Sequence, residues 1–242
     1  MVRRRPAPLG IASVVCDLTD DVATSSVVAR TAPEVVIHCA YSRERADIVD
    51  ATRSVASACA ETGARLVHMS TDVVFDGDSP PYSESDPPRP VTEYGSLKLE
   101  AEHIVTDLVP GAAIVRTSLI VSVDPDDDVS RSLVTALLAR RRVPLFIDEF
   151  RAPIRLDDLV SALWEIAGLE DGSGVWHVTG PDRLSRVDLG RAVAEAHGCD
   201  PSLIVESSVD AFDEPRARDV TLLCERAAKR LSVRPRRLGI IA

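Results

Sequence analysis

Arg65-Leu66-Val67-His68-Met69-Ser70-Thr71-Asp72-Val73-Val74-Phe75-Asp76-Gly77 is an apolar run that closes on two hydroxyls and a carboxylate. Without strict alternation of apolar and polar residues, it reads as a strand covered on both faces, the habit of parallel sheets flanked by helices. Parallel sheets bind ligands beyond the C-terminal ends of their strands, where Ser70, Thr71 and Asp72 fall. Taken singly, each hydroxyl reads as a strand-end cap. A hydroxyl in that place also has the chemistry to hold a substrate carbonyl by donating to its oxygen.

Sixteen residues after Gly77, Glu93-Tyr94-Gly95-Ser96-Leu97-Lys98 supplies what such a carbonyl would need next. Four residues apart on a helix, Tyr94 and Lys98 lie on one face. A phenol with an ordinary pKa of about 10 is a poor acid near neutrality, and a neighbouring ammonium stabilises its anion. Tyr94 then becomes a general acid for a carbonyl oxygen. The chain has three tyrosines and two lysines, so this offset is an uncommon coincidence, although an exposed helix-start pair would look the same by itself. Combined with Thr71, the pair points to carbonyl reduction.

Further out, short β-branched runs at 14–16, 35–39, 66–69 and 114–116 alternate with helical stretches at 22–30, 43–62 and 94–108. That alternation predicts an α/β fold with a doubly wound parallel sheet. Beyond Thr117 the pattern loosens into helices at 129–141, 156–167 and 185–197 and strands at 143–147 and 174–178. The expected division is a dinucleotide-binding lobe over 1–123 and a smaller, mainly substrate-binding lobe over 124–242, with 154–180 returning to the sheet. Dinucleotide-binding sheets open with a strand, a glycine-rich turn and a helix whose N-terminus receives the pyrophosphate. The only glycine before Gly63 is Gly10, so the expectation is a Rossmann-like sheet missing its first strand and helix, with cofactor binding weakened in the chain as written.

At 242 residues and 45% hydrophobic content the chain can bury a sizeable core. A net charge of −10 argues against a general nucleic-acid or anionic-membrane binder. Five scattered cysteines show no metal-ligand spacing and no disulfide framework, so no metal is expected. No run of about 18 apolar residues is present, and Met1-Val2-Arg3-Arg4-Arg5 is not followed by a signal peptide's apolar region. The expected location is the cytoplasm.

Ser70-Thr71-Asp72-Val73-Val74-Phe75-Asp76-Gly77, Tyr94-Gly95-Ser96-Leu97-Lys98, Val115-Arg116-Thr117-Ser118 and Asp148-Glu149-Phe150-Arg151-Ala152-Pro153 occur in one order and spacing that resembles the dTDP-4-dehydrorhamnose reductases, a branch of the extended short-chain dehydrogenases. The resemblance runs from Asp17 nearly to the C-terminus. It implies an NADP(H) cofactor, with NAD(H) the alternative, and a 4-keto-6-deoxy nucleotide sugar as substrate, and it allows a homodimer. It implies that Tyr94 donates the proton, that Lys98 binds the nicotinamide ribose and lowers the phenol's pKa, and that Thr71 holds the carbonyl. Arg3, Asp17, Leu18, Cys39, Ala40, Tyr41, Ser70 and Thr117 would lie along the cofactor, Arg3 toward a 2′-phosphate. Asp72, Phe75, Ser118, Arg151 and Pro153 would line the sugar-nucleotide side. Two other readings stay open: a non-catalytic binding or regulatory subunit of the same fold, and a fragment without function of its own.

Overall fold

The computed structural model describes residues 10–40, 42, 44–122 and 128–238. Helix α1 (Asp21–Thr31) leads to β1 (Val35–His38), a π-helical turn over Ala46–Asp50 that runs into α2 (Ala51–Thr62), then β2 (Arg65–Thr71), α3 (Glu93–Leu108) and β3 (Ala113–Thr117). The second half carries β4 (Ile120–Val121), α4 (Asp128–Leu138), β5 (Val143–Phe146), β6 (Phe150–Arg151), β7 (Ile154–Arg155) and α5 (Leu156–Gly168). It ends with β8 (Gly174–His177), β9 (Leu184–Ser185), α6 (Arg186–Ala196), β10 (Ile204–Ser207) and α7 (Glu225–Arg230).

Four strands form the main sheet in the order β1-β2-β3-β8, every pair parallel, with His38 beside His68 and Thr71 beside Thr117. Each strand is short and carries at least one Val, and helices occupy both faces, the doubly wound arrangement. On one face α2 and α3 bury Val55, Cys59, Leu97, Ala101 and Val105 against Leu66 and Ile114. On the other, α5 and α7 pack Leu159, Leu163, Ile166 and Ala227 against Val67, Val115 and Trp176. Trp176 is fully buried; its indole N–H donates to Gly172 O at 2.7 Å and the Arg226 guanidinium lies 3.9 Å above its ring. Burying a side chain of this class stabilises by roughly 1.5–3 kcal/mol.

Beyond β3 the chain builds small two-stranded pairs, β4 with β7, β5 with β10 and β6 with β9, capped by α4 and α6. Ser185 opens α6 with a capping box, accepting from Asp188 N–H at 3.0 Å while the Asp188 carboxylate takes the Ser185 hydroxyl at 2.6 Å. Gly180 ties this half to the sheet. A Cβ there would stand 1.9 Å from Pro153 O, so only glycine lets the loop after β8 rest on the Ala152-Pro153 segment.

One expected strand is not formed. Residues 14–16 carry no strand pairing, and Val14 and Val15 are 54% and 80% exposed. The β-branched run has strand propensity, but a strand exists only against a partner, and among the described residues none pairs with this segment or with the outer edge of β1.

Candidate active site

Thr92 caps α3, accepting from Gly95 N–H at 3.0 Å, which fixes where the helix begins and points Tyr94 and Lys98 from its first two turns. Gly95 lies against the turn that follows β2: a Cβ there would stand 2.2 Å from Val73 O. This close approach brings the start of α3 to the strand end that carries Thr71. The residue between the tyrosine and the serine of the motif is therefore glycine for a steric reason.

Tyr94 is half-buried at the mouth of the α2–α3 core. Lys98 is buried, and its ammonium donates to Met69 O at 2.6 Å. Burial pushes the Lys98 pKa down to about 8, against the pull of Glu102 and Cys39. The same charge helps hold the neighbouring imidazoles neutral: burial first, then Lys98, lowers His38 to about 4, and His68 is driven well below its usual range by burial, Lys98 and His38. The two rings sit 5.3 Å apart, and neither His68 nitrogen has a hydrogen-bond partner among the described residues. A buried ammonium close to a phenol-bearing turn is the electrostatic condition that a tyrosine acid needs.

Behind Lys98 stands a second buried assembly. Glu102 takes both Arg116 Nε and an Arg116 terminal nitrogen, at 3.0 and 2.7 Å, and the Ser70 hydroxyl also donates to it. Arg116 lies over the Phe75 ring at 5.2 Å, and Phe75 stacks on Tyr82 at 4.2 Å. Glu102 and Arg116 are pairing residues that the sequence reading passed over. The signal was available, since Glu102 sits one helical turn beyond Lys98.

The expected site residues separate into groups. Thr71, Asp72, Tyr94, Lys98, Thr117 and Ser118 gather around the C-terminal ends of β2 and β3 and the start of α3. Cys39 and Ala40 are exposed at the end of β1, and Asp17 and Leu18 precede α1, with the Asp17 carboxylate accepting from Thr19 N at 3.0 Å and Thr19 Oγ1 at 2.8 Å. The Ser70 and Thr117 hydroxyls face protein, on Glu102 and on Val178 O at 2.7 Å.

Three of the substrate-side residues are enclosed by protein. Phe75 is 0% exposed, enclosed by Tyr82, His177 and Arg116, and offers no ring surface to a ligand. Arg151 is buried with its guanidinium on Phe150 O, Ala217 O and Glu149, so it braces the segment. Pro153 is likewise buried, beneath Gly180. Glu149, which the sequence reading did not select, is the hub here, facing Arg151, Arg186 and Arg216 at 3.3, 3.8 and 3.1 Å. Arg3 and Tyr41 lie outside the described residues.

A family model for the RmlD substrate binding domain matches residues 4–238. The chain belongs to this family. It is 32% identical over 244 residues to a dTDP-4-dehydrorhamnose reductase of Mycolicibacterium smegmatis, covering 95% of this chain and 74% of that protein. It is also 32% identical over 209 residues to methionine adenosyltransferase 2 subunit beta of Danio rerio, covering 78% of this chain and 64% of that one. Among solved structures, a hypothetical dTDP-4-dehydrorhamnose reductase from Sulfolobus tokodaii superposes with a TM-score of 0.82 at 27% identity, covering 99% of this chain and 88% of the other. A Bacillus anthracis dTDP-4-dehydrorhamnose reductase in complex with NADP has the same fold, with a TM-score of 0.80 at 24% identity, covering 88% and 80%. Among the described residues no helix is long and apolar enough to cross a membrane, and no cluster of three or more His, Cys, Asp or Glu is placed to hold a metal.

Proposed function

We propose that the chain is a reductase of a 4-keto-6-deoxy nucleotide sugar that uses NADPH. The observation that carries this reading is Lys98, buried with its pKa lowered to about 8, one helical turn from Tyr94 on a helix seated against the Thr71 strand end. Thr71 holds the sugar carbonyl, Tyr94 gives its phenolic proton to the oxygen as charge develops there, and Lys98 stabilises the phenolate left behind. In this reading the Lys98 ammonium, now on Met69 O, would reach the ribose hydroxyls, and Cys39 and Ala40, exposed at the end of β1, would lie along the cofactor. Asp17 and Leu18 would edge the adenine. The cofactor, when bound, supplies the hydride.

Tyr94→Phe tests the assignment, because it keeps the ring and removes only the acid. General-acid contributions are typically 10²–10⁴-fold, so kcat for NADPH-dependent reduction of a dTDP-4-keto-6-deoxy sugar should fall by about that factor with the fold intact by circular dichroism. A Tyr94→Phe kcat within about 10-fold of the wild type removes the reading.

A second reading is favoured by the similarity to a methionine adenosyltransferase 2 subunit beta: this chain would be a non-catalytic sugar-nucleotide-binding or regulatory subunit of the same fold. Calorimetric titration with NADPH and with a dTDP-sugar, beside the turnover assay, separates the two. Binding without any reduction favours the subunit.

A further inference from the structure

Asp72 is 3% exposed at the end of β2, yet its Oδ2 has no hydrogen-bond partner among the described residues. Its other oxygen lies 3.2 Å from Thr71 Oγ1. The charged groups that face it are Arg151 from β6 and Arg186 from the first turn of α6. Neither satisfies it. The Arg151 nitrogens are committed to Phe150 O at 2.7 Å, Ala217 O at 3.1 Å and Glu149 at 3.3 Å, and Arg186 pairs with Glu149 at 3.8 Å. Ser118, beside it at the end of β3, turns its hydroxyl toward the carboxyl, and its Oγ has no hydrogen-bond partner of ordinary geometry among the described residues. A buried carboxylate oxygen left without a donor is costly, and the carbonyl oxygen of a neutral carboxylic acid costs less.

The protonation state of Asp72 decides what Thr71 can do. A hydroxyl has one proton to give and two lone pairs to receive. Val73 N–H, 3.4 Å away, approaches one lone pair of Thr71 Oγ1. If Asp72 is ionised, the Thr71 proton is drawn to its carboxylate and none is left for a substrate carbonyl. If Asp72 is the acid, it donates to the second lone pair and the Thr71 proton points outward.

We propose that Asp72 is a positioning residue that works as a neutral acid, donating to Thr71 Oγ1 so that the Thr71 hydroxyl donates to the substrate carbonyl. This rests on Thr71 holding that carbonyl in the proposed reaction. Burial raises the Asp72 pKa, against the pull of Arg151, Ser118, Thr71 and Val73 N–H, which agrees with the neutral form.

Infrared difference spectra of the full chain, wild type minus Asp72→Asn, test the protonation state without any turnover. A protonated-carboxyl C=O band present near neutral pH in the wild type and absent from D72N is expected; no such band overturns the proposal. In the reductase assay, Asn supplies an N–H to Thr71 Oγ1 while Ala supplies nothing. D72N should therefore lose less than about 10-fold in kcat and D72A more than about 100-fold, at an unchanged KM, with thermal melting confirming that D72A is folded. As pH rises through the Asp72 pKa the wild type should lose kcat, and D72N should lack that component of the alkaline fall. Equal losses in D72N and D72A with unaltered pH profiles would show a merely structural carboxyl. A carboxyl band together with no reductase activity in the wild type would leave the Asp72 assignment standing and remove the reductase reading.

Discussion

The two halves of the main sheet are finished to different degrees. At the ends of β2 and β3, Lys98, Ser70, Glu102, Arg116 and Thr117 are buried and hydrogen-bonded, and the start of α3 is locked by a glycine against Val73 O. At β1, by contrast, one edge carries no strand among the described residues, Cys39 and Ala40 are exposed, and Val14 and Val15 face solvent. In the proposed reaction, proton transfer would depend on the first region and the cofactor on the second. The preorganised half is the half that would do acid chemistry on a carbonyl, which is why Tyr94 and Thr71 carry the functional reading and the segment before α1 does not.

If the contrast is physical, disturbing the two kinds of site should cost very different amounts. Glu102→Ala strands the Arg116 guanidinium, and both partners of that pair are only 4% exposed. Removing one member of a buried pair costs about 3–5 kcal/mol, so urea unfolding should show a loss of that size. A loss below about 1 kcal/mol would mean that the pair is not shielded from water.

Lys98→Met should move stability the other way. The folded pKa of about 8 lies below the unfolded value of 10.5, so between those values the unfolded chain binds more protons and stability climbs with pH. The charge is therefore a stability cost below about pH 8, on the order of 3 kcal/mol. K98M should unfold at higher urea than the wild type at pH 7, should lack the climb between pH 8 and 10.5, and should be inactive. A destabilised K98M with the climb intact would contradict the burial of this charge.

At the small end stands Arg45–Glu100, paired at 2.6 Å with side chains 62% and 38% exposed. Exposed pairs contribute about 0–1 kcal/mol, so Glu100→Ala should change stability by less than a third of the Glu102→Ala effect in the same titration. Comparable losses would erase the distinction between wall and rim.

Much of this was legible in the sequence because its signals are local. The run 65–77 announces a doubly covered strand with polar residues at its end, and β-branched runs alternating with helical stretches announce the parallel sheet. Helix spacing alone aligns Tyr94 with Lys98. What was not legible depends on partners distant in sequence. Residues 14–16 have strand propensity but no paired neighbour. Phe75 and Arg151 carry ligand-ready chemistry, and only the fold shows that Tyr82, Arg116, Glu149 and the Ala217 carbonyl already occupy them. Glu149 collects three arginines from β6, α6 and the segment before α7, a meeting that no spacing along the chain encodes.

The central claim is that Tyr94, helped by Lys98 and Thr71, protonates a sugar carbonyl while a hydride reaches its carbon. Incubating the chain with a dTDP-4-keto-6-deoxy sugar and NADPH deuterated on either face of the nicotinamide C4, then reading the product by NMR, tests it most directly. Deuterium at the sugar C4 from one of the two labelled forms, entering at least about 100-fold more slowly in Tyr94→Phe, is the predicted result. Recovery of unchanged keto sugar from a chain that binds both NADPH and the dTDP-sugar would contradict it.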